Sequence, residues 1–296
     1  MRHSRRDFLK TTAGAAIIAG TGTAIPAHAA KRAATDWVPL GRSGVKVTRL
    51  AFGTGTYGGN VQRSLGQEEF TKLVRYAYDR GIRFFETADA YRGMPQMLGT
   101  ALKGLPRDSY RLMTKYRLND AAEPSATIDR LRRDLQAEYL DILLLHCVRT
   151  PDWAEQHKRL RDALSEAKAK KIVLAHGASC HGLLPLRTFA STEWLDVALM
   201  RINHKGTRMD TAQMRESNEP GDVNEVASHS KKIHARGTGV LGMKLVGEGR
   251  FTNHEDRAAA LKFVMGLGSV DAVTIGFKSP AEVDEAISNI GAALNT

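Results

Sequence analysis

Cysteine is scarce in this 296-residue chain: Cys147 and Cys180 are its only two. That is too few for a disulfide framework, and each follows an apolar run that reads as an inner strand, so free buried thiols are expected rather than a bridge. Long apolar runs are missing as well. The stretch from Thr11 to Ile25 is too short, and too interrupted by Gly and Thr, for a stable membrane span. There is no run of five basic residues and no nucleic-acid motif. The formal charge of +11 therefore speaks for an anionic ligand or for solubility, and against nucleic acid as a partner. No linker, internal repeat or low-complexity segment divides the chain.

What is present begins with an export pattern. Ser4-Arg5-Arg6-Asp7-Phe8-Leu9-Lys10 is a twin-arginine signature, the weakly apolar run follows it, and Ala27-His28-Ala29 offers a small-x-small cleavage site. Residues 1–29 are expected to be a signal peptide cut near Ala29/Ala30, with the Tat export machinery as partner and the periplasm as destination. Their removal takes away four Lys/Arg and one Asp, lowering the formal charge from +11 to +8 and leaving 267 residues. That length suits one (β/α)8 barrel of roughly 250 residues.

The remaining chain alternates between two hydrophobic periods. After a hairpin signal across Trp37 to Leu50, turning at Gly41-Arg42-Ser43-Gly44, short apolar runs read as strands at Val47–Phe52, Ile82–Phe85, Tyr110–Thr114, Leu140–Leu145, Ile172–Ala175, Val197–Ile202, Val240–Met243 and Ala272–Ile275. Helical spacing separates them, including one long helix over Trp153–Lys170 and a last one over Pro280–Leu294. Eight strand–helix units without a break predict an α/β fold, a single (β/α)8 TIM barrel over residues 30–296. Gly53-Thr54-Gly55-Thr56-Tyr57-Gly58 matches G-x-G-x-x-G, but the glycines continue through Gly59 instead of opening a helix, and no acid ends a strand about twenty residues on. It reads as a loop beside a site, not as a dinucleotide fingerprint.

In such a barrel the C-terminal strand ends converge on one pocket. They carry Glu86 and Tyr91, then Lys115, His146, His176 with Ser179, Asn203-His204, Lys244, and Phe277-Lys278-Ser279. Taken singly, a lysine or histidine at a strand end is usually solvated or hydrogen-bonded filler. Together, a phenol beside a lysine and an imidazole is expected to have its pKa lowered by the cation, so that it can pass a proton near neutral pH, with the carboxylate holding the lysine. A metal site on His146, His176, Cys180 and His204 is the other chemistry these residues allow, although none stands at a short ligand spacing such as H-x-x-x-H.

The constellation resembles the aldo-keto reductases along nearly all of the mature chain. The resemblance runs through Leu40-Gly41-Arg42-Ser43-Gly44, Leu50-Ala51-Phe52-Gly53-Thr54, Phe85-Glu86-Thr87-Ala88-Asp89-Ala90-Tyr91, Thr114-Lys115, Asp141-Ile142-Leu143-Leu144-Leu145-His146 and Gly177-Ala178-Ser179. It implies Tyr91 as general acid, Lys115 tuning it, Glu86 paired with Lys115, and His146 orienting a carbonyl oxygen. It further implies hydride transfer from NADP(H), or from NAD(H), to a small carbonyl substrate, or the reverse reaction on an alcohol. Gly53, Thr54, Ser179, Lys244, Phe277, Lys278 and Ser279 are the expected nucleotide contacts, the last through the amides opening the final helix. Five positions depart from the family pattern: Glu86 for Asp, Cys180 for Asn, Leu199 for Gln, Met243 for a stacking Tyr, and Glu282 for an Arg that grips the 2′-phosphate. The proton-transfer half is kept and the nucleotide half is altered. A non-catalytic binding barrel without cofactor is therefore the alternative. Substrate loops are expected at Thr56–Gly66, Arg149–Trp153 and Thr207–Gly221, with Tyr57, Tyr91 and Trp153 as pocket aromatics.

Overall fold

The computed structural model describes residues 31–211 and 219–296. The expected signal peptide, and seven positions of the Thr207–Gly221 loop, lie outside the described residues. Two short strands, β1 (Trp37–Pro39) and β2 (Lys46–Thr48), pair antiparallel. Eight strands then form a closed parallel barrel: β3 (Leu50–Gly53), β4 (Phe84–Glu86), β5 (Arg111–Arg117), β6 (Leu140–Val148), β7 (Val173–Cys180), β8 (Val197–Arg201), β9 (Gly239–Met243) and β10 (Ala272–Gly276), which pairs back onto β3. The helices are α1 (Asn60–Arg63), α2 (Gly66–Asp79), α3 (Met94–Leu102), α4 (Pro124–Asp134), α5 (Trp153–Gln156), α6 (Lys158–Ala169), α7 (Leu183–Phe189), α8 (Val223–Ala235), α9 (His254–Gly266) and α10 (Pro280–Leu294).

The pleat sorts each strand into two apolar faces, which is why the runs are continuous rather than alternating. Ala51, Phe84, Met113, Ile142, Leu144, Ala175, Val197, Leu199, Leu241 and Ala272 fill the barrel interior. Phe52, Phe85, Leu112, Leu143, Leu145 and Val240 face outward onto the helices. The hairpin closes the N-terminal end: Leu40, Val45 and Val47 join the interior cluster. Gly41, at φ +48°, passes so close to Gly237 and Gly239 that a Cβ there would meet backbone at 2.3 Å.

All eight expected strands are present, with three local differences. Val47–Phe52 is two strands, not one, because the amides of Arg49 and Leu50 turn back to the carbonyls of Asp36 and Ala34. The expected helix over Trp153–Lys170 breaks at His157 into α5 and α6. The glycine loop after β3 does open a helical turn, α1, where the sequence pattern suggested none; its N-cap, Gly59, adopts φ +89°.

Candidate active site

Because alternate residues of a strand share a face, the interior pattern assigns the strand ends. Glu86 continues the inward face of Phe84, Lys115 and Arg117 that of Met113, His146 that of Leu144, and Arg201 that of Leu199. The chemistry-bearing groups therefore rise from an apolar floor.

Lys115 is 1% exposed, and its ammonium makes three contacts: an ion pair with Glu86 Oε1, a hydrogen bond to the Thr87 carbonyl at 3.0 Å, and one to the Tyr91 hydroxyl at 3.3 Å. Glu86 accepts a second hydrogen bond on Oε2 from Thr274 Oγ1 at 3.2 Å. The extra methylene of Glu86 thus leaves the ion pair intact, and β10 steadies the far side of the carboxylate. Tyr91 is placed by the turn after β4, which Gly93 ends at φ +75° as the N-cap of α3. Its ring stands edge-on to His146, centroids 5.6 Å apart. Gly55 packs against the phenol, where any Cβ would lie 2.6 Å from the hydroxyl.

The electrostatics correct one expectation. Burial pushes the Tyr91 phenol well above its usual 10, and the nearby carboxylate of Glu86 adds to the shift. The cation beside it does not win, because a phenolate in this enclosed position loses its hydration. Tyr91 is accordingly a held proton, suited to donation. Burial likewise pulls His146 well below 6.5, with the charges of Lys115 and Arg117 contributing, so its imidazole is neutral at neutral pH.

From Tyr91 a cavity of about 560 Å³ runs between the β9 and β10 ends toward α9 and α10. Of the residues singled out as nucleotide contacts, Gly53, Lys244, Phe277 and Lys278 line it. Three expected contacts are differently employed. Thr54 is fully buried and its amide bonds to the Glu86 carbonyl, which leaves Gly55 and Thr56 on the cavity side. The Ser179 hydroxyl accepts the Cys147 amide at 2.8 Å; the register shift between Leu145 and Val148, where Cys147 takes φ +68°, leaves that amide out of the ladder. Ser279 caps α10 by accepting the Glu282 amide at 3.4 Å, while Glu282 accepts the Lys278 amide at 2.8 Å. The Lys278 and Glu282 amides at this helix end are thus already engaged within the chain. Trp153 is fully buried against Phe189 and Trp194, so it is core, whereas Tyr57 is exposed and lines the cavity.

The histidines do not converge. His176 lies on the outer face of β7, stacked on Trp194 at 4.3 Å, and His204 stands edge-on to Phe251. No group of three His, Cys, Asp or Glu among the described residues is arranged to hold a metal ion. The sequence reading passed over Glu248, at φ +55°. It accepts the Tyr57 amide at 3.3 Å, pairs with Lys244, and pairs with Arg208 at 3.0 Å, tying three loops together across the cavity. Burial opposes its ionisation, but Lys244 and Arg208 outweigh burial and hold the carboxyl below its usual range. Its i,i+4 spacing from Lys244 was the available signal. Arg117, His181 and Arg201 were also passed over, although each stands two residues beyond a strand-end position already singled out.

A nicotinamide dinucleotide, as the sequence resemblance implies, is compatible with this cavity. The cavity begins at the phenol, extends away from it, and is lined by Lys244, Arg257 and Lys278. Comparisons with known proteins agree on the family. The model of the Aldo/keto reductase family matches residues 49–291. An aldo-keto reductase of Glycine max is 29% identical over 177 residues, covering 53% of this chain and 51% of its own length. L-galactose dehydrogenase of Arabidopsis thaliana is 36% identical over 118 residues, covering 36% of each. The chain thus spans about half or less of the curated relatives it matches. Among solved structures, the holo form of a Bacillus halodurans aldo-keto reductase superposes with a TM-score of 0.68 at 20% identity, covering 86% of this chain and 90% of that one. A Klebsiella pneumoniae aldo-keto reductase in complex with NADPH gives 0.64 at 16% identity, covering 88% and 89%.

Proposed function

The chain belongs to the aldo/keto reductase family, and from that premise we propose that it reduces an aldehyde or ketone to an alcohol, reversibly, with Tyr91 as the proton donor. The observation that carries the reading is the buried Glu86–Lys115 pair, whose ammonium reaches the Tyr91 hydroxyl at 3.3 Å. A nicotinamide nucleotide, when bound, supplies the hydride. Everything else falls to the chain. A phenol kept protonated by burial gives its proton to the carbonyl oxygen, and the adjacent Lys115 ammonium stabilises the phenolate left behind. Neutral His146, edge-on to the phenol, offers a ring N–H to the same oxygen. Tyr91→Phe is expected to lower kcat for aldehyde reduction by about 10²- to 10⁴-fold with an unchanged circular dichroism spectrum. Full activity in that variant would remove Tyr91 from the role.

Lys244 and Lys278, which line the cavity, are the proposed partners of the nucleotide phosphates, and Gly53 and Phe277 line the cavity from which the nicotinamide would meet Tyr91. NADP(H), the nucleotide of the Klebsiella neighbour, and NAD(H) both suit the cavity. The Glu282 carboxylate at the start of α10 opposes an additional phosphate, which weakens any preference for NADP(H) over NAD(H). Titrations followed by nucleotide fluorescence should show Glu282→Arg tightening NADPH more than NADH.

Residues 1–29 fit a Tat signal, and the proposed location is the periplasm. Tat carries folded proteins, so a nucleotide bound in the cytoplasm would travel with the enzyme. Arg5→Lys combined with Arg6→Lys is expected to retain the precursor in the cytoplasm, as judged by cell fractionation. Periplasmic protein that neither carries nucleotide nor binds it on addition would mark a barrel kept for binding alone.

A further inference from the structure

The two sides of Tyr91 differ in charge. On the nucleotide side each cation lining the cavity meets a glutamate: Lys244 with Glu248, Arg257 with Glu285 at 2.6 Å, and Lys278 with Glu282 at 3.8 Å. On the other side the ends of β5 to β8 are rich in cations. Arg117 stands directly opposite His146 in the β5–β6 register, on the inward face that carries Lys115. Arg149 follows β6 by one residue, and its guanidinium lies 3.7 Å from the Cys147 sulfur. Among the described residues, neither Arg117 nor Arg149 has a carboxylate partner. Arg201, on the inward face of β8, bonds to His181 and lies 3.7 Å from Asp210.

An exposed arginine on a barrel rim is ordinarily only solvated. Here Arg117 is aligned by strand register with His146, the group that would hold the reacting oxygen, Arg149 leaves the end of the same strand as His146, and the floor beneath them is apolar. Burial, with Lys115, Arg117 and Arg149 adding to it, keeps His146 neutral, and burial with Arg201 does the same to His181. The excess charge is therefore borne by guanidinium groups, whose planar fork matches a carboxylate.

We infer that the substrate is an aldehyde or ketone bearing a carboxylate, which Arg117 and Arg149 hold while the carbonyl faces Tyr91 and His146; this rests on the reductase reading above. The chemistry of the transfer is unchanged, and the charged group takes no part in it.

The test compares 4-carboxybenzaldehyde with benzaldehyde on nucleotide-loaded enzyme. The kcat/KM ratio is expected to favour the carboxylate at least about tenfold at low ionic strength and to shrink in 1 M NaCl, since rim charges are screened there. Arg117→Ala combined with Arg149→Ala should collapse the ratio through KM, whereas Arg133→Ala with Arg187→Ala, which removes the same charge on outer helices, should leave it unchanged. A ratio near one, or one insensitive to the Arg117/Arg149 pair, overturns the inference. Glyceraldehyde 3-phosphate against glyceraldehyde forms a second arm, and a larger ratio there would assign phosphate instead of carboxylate. If no aldehyde is turned over, the reductase reading fails by itself. Calorimetric titration with 4-(hydroxymethyl)benzoate against benzyl alcohol then decides the charge preference: tighter binding of the benzoate, lost in the Arg117/Arg149 variant, sustains it, and equal binding ends it.

Discussion

Tyr91 works through what surrounds it, and two neighbours carry most of that. Lys115 and Glu86 are almost fully enclosed, so each is tolerable only because the other is there. Lys115→Met would strand a buried carboxylate and is expected to cost about 3–5 kcal/mol in urea denaturation, with Glu86→Leu in the same chain recovering part of the loss. Gly55 acts through absence. Its missing side chain leaves room for the phenol, and Gly55→Ala would drive a methyl to 2.6 Å from the hydroxyl. A displacement of about 1 Å is enough to cost roughly a hundredfold in rate, so aldehyde turnover should fall by that order while the melting temperature changes little. Glu86, Lys115 and His146 were legible in the sequence because each closes an apolar run, and Tyr91 because it follows Glu86 by five residues, shortly before a glycine. The pKa of Tyr91 was not, because local charge and burial pull it in opposite directions and burial is a property of the folded site.

At the scale of elements, two irregularities shape the rim. The bulge at Cys147 sets two residues, His146 and Cys147, between outward-facing Leu145 and Val148, and the Ser179 hydroxyl satisfies the amide it orphans. Ser179→Ala would remove that hydrogen bond at an expected cost of about 0.5–1.5 kcal/mol, read by chemical denaturation. The start of α10, where Ser279 accepts the Glu282 amide and Glu282 the Lys278 amide, is the second. Ser279→Ala removes its cap and should cost about 0.5–2 kcal/mol, measurable as a lower melting temperature in the absence of nucleotide. Ser179 stood out in the sequence as a ligand contact, and Ser279 as marking the amides that open the last helix; both hydroxyls accept hydrogen bonds within the chain. A serine at a strand end or helix start reads alike for either purpose, since only the neighbouring backbone decides which hydrogen bond is already made.

The whole molecule is balanced against acid. Burial lowers the pKa of His146, His181 and His176, with Asp196 partly opposing it at His176. The unfolded chain takes up protons at these residues near 6.5, while the fold resists them. Their contribution to stability is therefore intact above about pH 6.5 and lost as the pH falls below it, by up to about 1.4 kcal/mol per pH unit for each. The melting temperature should decline between pH 7 and pH 5; a flat profile over that range would contradict the burial of these imidazoles.

The order of strands and helices, the barrel, and the residue types at each strand end were determined by the sequence alone, because hydrophobic period and chain punctuation are local. The second oxygen of Glu86 is held by Thr274, 188 residues away, a contact that no local pattern announces. Which hydroxyls are spent, which histidines face outward, and where Arg117 stands relative to His146 were decided only by tertiary structure. Those are contests among groups distant in sequence, settled by register, burial and the closing of the barrel on itself.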